Sequence, residues 1–206
     1  MDKFIIEGGN RLCGAVQTQS AKNSVLVLLA ASILTEEQVT IENVPHISDV
    51  LHMSEILQKL GADVCFADGN VTISSGNAAE RDLSSHLTRE LRSSVFMLGS
   101  VLTRFKHARI SYPGGCDIGL RPIDLHLFGL KKLGVKTEER DGYIVCNAEK
   151  LVGANIHLDF PSVGATENII LASVKAQGET VITNAAKEPE TVSYTHLRAH
   201  ETTLHL

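Results

Sequence analysis

The chain is 206 residues long, 43% hydrophobic but only 4% aromatic, and its formal net charge is −5. This length allows one large domain or two small ones around a core of Leu, Ile, Val and Ala. No basic run is long enough to suggest a nucleic-acid arm, and the longest apolar stretch, residues 25–31, is far short of the roughly 20 residues of a membrane span. Residues 4–6 form an alternating apolar run rather than a signal peptide. We therefore expect a soluble cytoplasmic protein with reduced thiols, and no nucleic-acid or membrane partner.

The sequence repeats one pattern of elements, which begins with a buried helix. Runs that are apolar on every side predict such helices at residues 25–31, 95–98 and 169–174. Strand-like runs follow them at residues 38–42, 108–112 and 179–183, and a proline comes after each strand. The chain therefore predicts three copies of one unit.

An amphipathic helix and a hairpin complete the first two copies. Apolar residues share one face of each helix: Met53, Ile56, Leu57 and Leu60 in the first copy, and Ile123, Leu127 and Leu130 in the second. Both helices run into a Leu-Gly pair, and an Asp-Gly pair then predicts a tight turn between two short strands. The two Leu-Gly pairs lie 73 residues apart, which is long enough for a complete β-α-β-α-β-β unit of an α/β fold.

The third copy breaks off after Glu188-Pro189-Glu190. Residues 191–206 hold three of the nine histidines, where an amphipathic helix and a hairpin are expected. A metal-binding tract is one interpretation of such a segment, but the histidine spacing suits no tight site. We interpret residues 191–206 as a foreign or frameshifted tail on a truncated protein, and leave them out of the functional prediction.

Polar and basic residues mark the starts of the three buried helices. Lys22 and Asn23 open the first, Arg92 precedes the second, and Ser162 opens the third. A helix amino terminus presents free N–H groups and partial positive charge, so a lysine there suits a phosphate or carboxylate ligand, although a snorkelling surface lysine fits the same pattern. If the units pack around a pseudo-threefold axis, these starts converge into a pocket for a multiply anionic substrate. Asn23 and Ser162 would then orient a sugar or nucleotide.

The loop at residues 113–122 holds one cysteine and one arginine among three glycines and two prolines. Glycine and proline dictate the shape of such a loop and leave its surface open. Cys116 is predicted to be exposed, and Arg121 would favour its thiolate, so Cys116 is a candidate nucleophile or proton donor. An ordinary loop cysteine is the alternative.

The other cysteines and the histidines carry less information. Cys13, Cys65 and Cys146 lie in or beside strand-like runs, which predicts small buried hydrophobes. His126 follows Asp124 at a helix start and is a candidate to face the pocket. The other histidines before the tail show no triad or ligand spacing, so we predict no metal site.

Five motifs, in this order and within this repeat, resemble the enolpyruvyl transferase family, in particular its members that act on UDP-N-acetylglucosamine. They lie at residues 21–23, 91–94, 113–125, 162–166 and 187–190. The resemblance runs from Met1 to about Glu190. It implies two similar domains, each an inside-out α/β barrel of three β-α-β-α-β-β units with helices inward and sheets outward.

The same resemblance implies how this chain divides. Residues 1–21 would be a strand region that belongs to the second domain. Residues 22–190 would form the first domain with its third repeat incomplete, and residues 191–206 would be the tail. Most of the second domain would be missing.

The reaction implied by the resemblance moves enolpyruvyl from phosphoenolpyruvate to the 3′-hydroxyl of UDP-N-acetylglucosamine and releases phosphate, the first committed step of peptidoglycan synthesis. Cys116 would donate a proton to the methylene carbon and would be the thiol that fosfomycin attacks. Lys22 and Asn23 would hold phosphoenolpyruvate, and Arg121 would lie against the phosphates. The UDP-sugar would be held by a larger set: Arg92, Arg121, Pro122, Ile123, Asp124, Leu125, Ser162, Val163 and Gly164. No metal or organic cofactor is implied.

The chain departs from the family pattern in small and large ways. Ser20 stands where the family usually has glycine, and Ser93 where alanine is common. The family's aspartate base lies in the missing second domain, so we expect these 206 residues to be inactive alone.

One alternative function is that of the sister transferase that acts on shikimate 3-phosphate. The Asn23 after Lys22 and the Gly-Gly-Cys loop disfavour it. The other is a non-catalytic UDP-sugar-binding fragment.

Overall fold

The computed structural model describes residues 20–81, 92–111, 123–189 and 191, together with residues 5, 7–9, 11, 13–16 and 18. Within these ranges no helix is long and apolar enough to cross a membrane. The helices and strands form two similar units and the beginning of a third.

The first unit contains two helices and one three-stranded sheet. Its elements are α1 (Lys22–Ser32), β1 (Gln38–Ile41), α2 (Ser48–Lys59), β2 (Asp63–Ala67) and β3 (Asn70–Ser74). Strand β3 lies between β1 and β2 and is antiparallel to both. The inward face of this sheet is apolar, because Ile41, Val71 and Ile73 are buried.

The second unit repeats this arrangement. A 3₁₀ turn (Arg92–Val95) leads into its elements, α3 (Phe96–Phe105), β4 (His107–Ser111), α4 (Asp124–Lys132), β5 (Lys136–Arg140) and β6 (Tyr143–Asn147). The strand order β4-β6-β5 matches the order in the first unit. A third set then follows, β7 (Asn155–His157), α5 (Val163–Ser173) and β8 (Val181–Thr183), in which β7 and β8 pair in parallel.

The repeat predicted from the sequence is confirmed at its turns. Asp68 and Gly69 have φ of 50° and 75°, and Asp141 and Gly142 have φ of 53° and 77°. Two consecutive residues with positive φ form the type I′ turn, whose twist matches that of the two strands it joins. The predicted core faces of both amphipathic helices are buried as well. The α/β class is therefore confirmed, whereas the closed barrel stays a prediction.

Helices α3 and α5 run side by side in the same direction at the centre of the core. The backbone N–H of Gly99 donates to Oδ1 of Asn168 at 2.8 Å. One turn further on, the hydroxyl of Thr103 donates to the carbonyl oxygens of Leu171 and Ala172, at 3.0 and 3.1 Å. The two helices therefore advance together, and their amino termini lie at the same end.

The carboxyl end of α1 meets the carboxyl end of α3. The Arg104 guanidinium, near the end of α3, donates to the carbonyl oxygen of Ile33, the residue that caps α1, at 2.8 Å. Helices α1 and α3 also contact each other directly, so their carboxyl ends lie side by side. A common start for all three buried helices, and with it the pseudo-threefold arrangement, stays a prediction.

Candidate active site

The start of α5 lies against the start of α3 and the start of α4. A Cβ atom added to Gly164, in the first turn of α5, would lie 3.2 Å from Cε1 of His126 and 3.4 Å from a ring carbon of Phe96. His126 is in the first turn of α4 and Phe96 is the first residue of α3. The structure therefore brings the predicted UDP-sugar residues of α4 and α5 to one place.

Lys22 begins α1 and forms an ion pair with the first turn of α2. Its Nζ lies 2.6 Å from Oδ2 of Asp49, and the two side chains are 50% and 30% exposed. A carboxylate suits a helix start, whereas a lysine does not, so Asp49 offsets the unfavourable position of Lys22. An ion pair this exposed contributes little to folding stability, and it leaves the ammonium group accessible to an anion. The neighbouring Asn23 is also exposed.

Ser162 caps the amino terminus of α5. Its hydroxyl oxygen accepts a hydrogen bond from the backbone N–H of Ala165 at 3.3 Å, and its carbonyl oxygen accepts one from the hydroxyl of Thr166 at 2.8 Å. Ser162, Val163 and Gly164 are half-buried. The cap satisfies the N–H of Ala165, so the N–H groups of Val163 and Gly164 are the donors of this first turn that have no acceptor within the helix and that suit an anion.

The predicted ligand residues at the start of α4 differ in exposure. Ile123 is only 3% exposed and belongs to the hydrophobic core, so its side chain packs with the protein rather than facing a ligand. Asp124 is exposed and Leu125 is half-buried. Ligand contact at position 123 would therefore have to come from the backbone.

Several predicted site residues lie outside the described part of the chain. These are Cys116, Arg121 and Pro122, with the rest of their loop. Arg92 is placed at the start of the 3₁₀ turn that precedes α3, and its side chain is not described. The predicted tail lies outside as well, apart from Thr191.

The segment after β8 is attached to the first turns of α5. The backbone N–H of Ala186 donates to the hydroxyl of Thr166 at 3.1 Å, and the hydroxyl of Thr191 donates to Oε1 of the buried Glu167 at 3.4 Å. Lys187 and Glu188 lie between these two attachments, so they are held near the same end of the core as Ser162. Thr166 and Glu167 were not predicted as anchors, although polar residues inside an otherwise apolar helix are a visible signal of such a role.

The prediction of buried cysteines is right at one position and wrong at two. Cys146 is fully buried, on the inward face of β6 beside Ala108. Cys65 is exposed, because β2 is an edge strand and Cys65 pairs with Thr72 on the polar outward face of the sheet. Cys13 is exposed as well, in the amino-terminal stretch that precedes α1.

Burial of Cys146 predicts a thiol that does not react in the folded protein. Desolvation raises the pKa of this thiol to about 12, against a smaller opposing effect of Lys131. Only the thiolate is nucleophilic, so at pH 8 about one thiol in 10⁴ is reactive. We expect iodoacetamide to label Cys65 in native protein and Cys146 only after urea unfolding, as measured by peptide mass spectrometry. Equal labelling of both cysteines in the native protein would contradict the described packing of β6.

His126, the candidate to face the pocket, is only 6% exposed, and its Nδ1 lies 3.1 Å from Nδ2 of Asn168. The loop at residues 113–122, which would form part of that pocket, lies outside the described residues, so a pocket-facing His126 stays a prediction. The described residues contain no group of three or more His, Cys, Asp or Glu side chains placed to hold a metal ion.

Comparison with known proteins gives one family. The model of EPSP synthase (3-phosphoshikimate 1-carboxyvinyltransferase) matches residues 6–197. Curated relatives include UDP-N-acetylglucosamine 1-carboxyvinyltransferase 2 of Caldanaerobacter subterraneus subsp. tengcongensis, 53% identical over 190 residues, which are 92% of this chain and 46% of the relative. UDP-N-acetylglucosamine 1-carboxyvinyltransferase 1 of Clostridium acetobutylicum is 51% identical over 192 residues, with coverage of 92% and 46%. The chain thus spans about half the length of the curated relatives it matches.

Solved structures give the same fold. The enolpyruvyl transferase NikO from Streptomyces tendae superposes with a TM-score of 0.80 at 25% identity, covering 93% of this chain and 45% of that one. An EPSP synthase from Acinetobacter baumannii superposes with a TM-score of 0.69 at 18% identity, covering 87% and 42%. The second similarity shows a shared fold alone.

Proposed function

Since the chain belongs to the EPSP synthase family of enolpyruvyl transferases, we propose that it forms half of an enzyme that transfers enolpyruvyl from phosphoenolpyruvate to the 3′-hydroxyl of UDP-N-acetylglucosamine. The observation that carries this proposal is the identity of 53% and 51% to curated proteins that are named for this activity. The reaction would serve peptidoglycan synthesis in the cytoplasm.

The described geometry supports binding of a substrate with several negative charges. The first turns of α4 and α5 meet at Gly164, and Ser162 caps the start of α5. The N–H of Ser162 already donates to the carbonyl oxygen of Phe160. Val163 and Gly164 would therefore bind the diphosphate through their N–H groups and Ser162 through its hydroxyl, beside Asp124 and Leu125. Lys22 would hold the phosphate of phosphoenolpyruvate, with Asn23 next to it.

The chemistry is an addition followed by an elimination. Cys116 would give its proton to the methylene carbon of phosphoenolpyruvate while the 3′-oxygen of the sugar bonds to the adjacent carbon, which produces a tetrahedral intermediate. Loss of a proton from the new methyl group and cleavage of the carbon–oxygen bond to phosphate would then yield the enol ether and free phosphate. Arg121 would stabilise the charge on the phosphates. Fosfomycin would react with the same thiol.

The division of the chain remains part of the proposal. Residues 22–190 would be an incomplete first domain, residues 1–21 a strand region of the second, and residues 191–206 a non-native tail. The base that takes the sugar proton would come from the second domain, so the 206-residue chain would bind substrate without turning it over.

Two other functions compete with this one. A transferase acting on shikimate 3-phosphate fits the description of the matching family model, but the two curated relatives described above, both more than half identical, are named for UDP-N-acetylglucosamine. A non-catalytic UDP-sugar-binding fragment differs from the main proposal only in whether a longer form of the protein is an enzyme.

Calorimetric titration separates these proposals. We expect the 206-residue chain to bind UDP-N-acetylglucosamine weakly and saturably and shikimate 3-phosphate not at all. With phosphoenolpyruvate and UDP-N-acetylglucosamine it should release no phosphate, while a version joined to the remaining half of the Caldanaerobacter relative should do so. Preferential binding of shikimate 3-phosphate would overturn the substrate assignment. Turnover by the 206 residues alone would overturn the requirement for a second domain, and an inactive joined version that still binds UDP-sugar would favour the non-catalytic alternative.

A further inference from the structure

A buried chain of hydrogen bonds connects the three helices whose starts meet at the candidate site. Asn168 of α5 is fully buried, and His126 of α4 is 6% exposed. The backbone N–H of Gly99, in α3, donates to Oδ1 of Asn168 at 2.8 Å. Nδ2 of Asn168 lies 3.1 Å from Nδ1 of His126. One asparagine thus joins α3 to α4.

The direction of each bond follows from the chemistry of its groups. A backbone N–H can only donate, so the atom of Asn168 that faces Gly99 must be the carbonyl oxygen. The atom that faces His126 is therefore the amide nitrogen, which also can only donate. Nδ1 of His126 must then accept, and an imidazole whose Nδ1 accepts is neutral and carries its hydrogen on Nε2. Gly99 in this way fixes the tautomer of a histidine on a different helix.

The opposite edge of the same imidazole contacts the start of α5. A Cβ on Gly164 would lie 3.2 Å from Cε1 and 3.4 Å from Nε2 of His126, so the ring packs directly on the Gly164 backbone. His126 therefore lies between Asn168 and Gly164. It also shares its helical turn with Asp124 and Leu125.

We propose that His126 is a positioning residue, which as a neutral imidazole bound to Asn168 sets the distance between the first turn of α4 and the first turn of α5. Its role in substrate binding rests on the proposed function, because those two turns carry the residues assigned to the UDP-sugar. The imidazole itself needs no contact with the substrate. The hydrogen bonds of Asn168 fix the imidazole of His126 relative to α3. The contact of the imidazole with Gly164 fixes the first turn of α5 relative to His126.

The tautomer can be tested without any ligand. We expect ¹⁵N NMR of the 206-residue chain to show Nδ1 of His126 unprotonated and Nε2 protonated. Asn168→Asp leaves an acceptor for Gly99 but removes the donor for His126, so it should convert Nδ1 to a protonated nitrogen. His157, whose Nδ1 lies 2.9 Å from the hydroxyl of Thr183 in an exposed position, is the internal control and should not change. A protonated Nδ1 in the wild-type chain overturns the proposal.

The positioning role is tested by matched substitutions at the same position. His126→Gln keeps an acceptor that can face Asn168, whereas His126→Leu fills the space without one. We expect the N–H orientations of Leu125, Val163 and Gly164, measured by residual dipolar couplings, to change in His126→Leu and in Asn168→Leu and to stay near wild type in His126→Gln. If Asn168→Leu and His126→Gln change these orientations equally, hydrogen bonding by His126 does not set the turns and the proposal fails.

Ligand affinity then separates this inference from the proposed function. The Kd for UDP-N-acetylglucosamine should rise about tenfold in His126→Leu and in Asn168→Leu, rise little further in the double variant, and stay within about threefold of wild type in His126→Gln. Unchanged affinity in His126→Leu overturns the positioning role. If the wild-type chain shows the expected tautomer and the variants show the expected N–H orientations, but the wild-type chain does not bind the UDP-sugar, the ligand assignment is overturned and the arrangement of the turns stands.

Discussion

Replacing Gly99 with alanine should lower the free energy of unfolding by about 3 kcal/mol. A Cβ at this position would lie 2.5 Å from both the backbone oxygen and Oδ1 of Asn168, and 3.2 Å from the backbone nitrogen of Ala172. The first and last of these are backbone atoms of a buried helix, so α3 and α5 would have to move apart. The gain of about 1 kcal/mol from better helix propensity does not offset that separation and the weakened hydrogen bond to Asn168. Urea unfolding followed by circular dichroism measures the difference.

Gly76→Ala is the matched control for this effect. The nearest atom to a Cβ at Gly76 is the backbone oxygen of Glu36, at 3.6 Å, which is an ordinary contact. This variant should therefore unfold within about 0.5 kcal/mol of wild type. If Gly99→Ala were as stable as Gly76→Ala, the close packing of α3 on α5 would be wrong.

Replacing Arg104 with methionine should cost a similar amount, about 3 kcal/mol, for a different reason. The Arg104 guanidinium donates four hydrogen bonds, to the carbonyl oxygens of Ile33, Thr35 and Ser75 and to the hydroxyl of Ser75, over distances of 2.8–3.0 Å. Its side chain is only 10% exposed. Methionine retains much of the packing but leaves these acceptors poorly solvated at the carboxyl end of α1, where a positive charge is also favoured by the helix dipole.

Two variants identify the cause of this loss. Arg81→Met removes an exposed guanidinium that donates one bond, to the carbonyl oxygen of Lys59 at 3.1 Å, and should cost less than about 1 kcal/mol. Arg104→Lys keeps the charge but not the planar set of donors, so its stability should fall between wild type and Arg104→Met. Equal losses in the two methionine variants would show that Arg104 does not hold α1, β3 and α3 together.

Local features of the sequence predicted the repeat well. The Asp-Gly turns, the Leu-Gly helix ends and the apolar faces around Met53 and Leu130 depend on neighbouring residues, and each recurs in both units. Strand ends differ from the predictions by up to two residues, as at β8, which starts at Val181 rather than Glu179. Such ends depend on which backbone groups find a partner strand, and that is a property of the folded sheet.

Contacts between residues that are far apart in the sequence could not be predicted from the sequence. Asp49 lies 27 residues from Lys22, and Asn168 lies 42 from His126, so no periodicity relates the partners. Cys65 and Cys146 occupy similar strand-like runs, but one lies on an edge strand facing outward and the other on a central strand facing the helices. Strand order decides between these environments, and it is set by contacts between distant parts of the chain.

The packing of the buried helices also constrains how the protein can fold. The bonds from Arg104 to Ile33 and Thr35 close loops of 71 and 69 residues, and the bond from Gly99 to Asn168 closes one of 69. Loops of this length form slowly, because the chain loses conformational entropy on closing the loop before the stabilising contacts have formed. Helix α1 is apolar on all sides and packs against α2 of its own unit as well as against α3, so the first unit alone covers only part of its surface. Helix α3 in turn packs against α5. We therefore expect the units, although they repeat in structure, to depend on one another in folding, and the apolar surface of α1 and α3 to stay accessible to chaperones and proteases on the ribosome until α5 has been made.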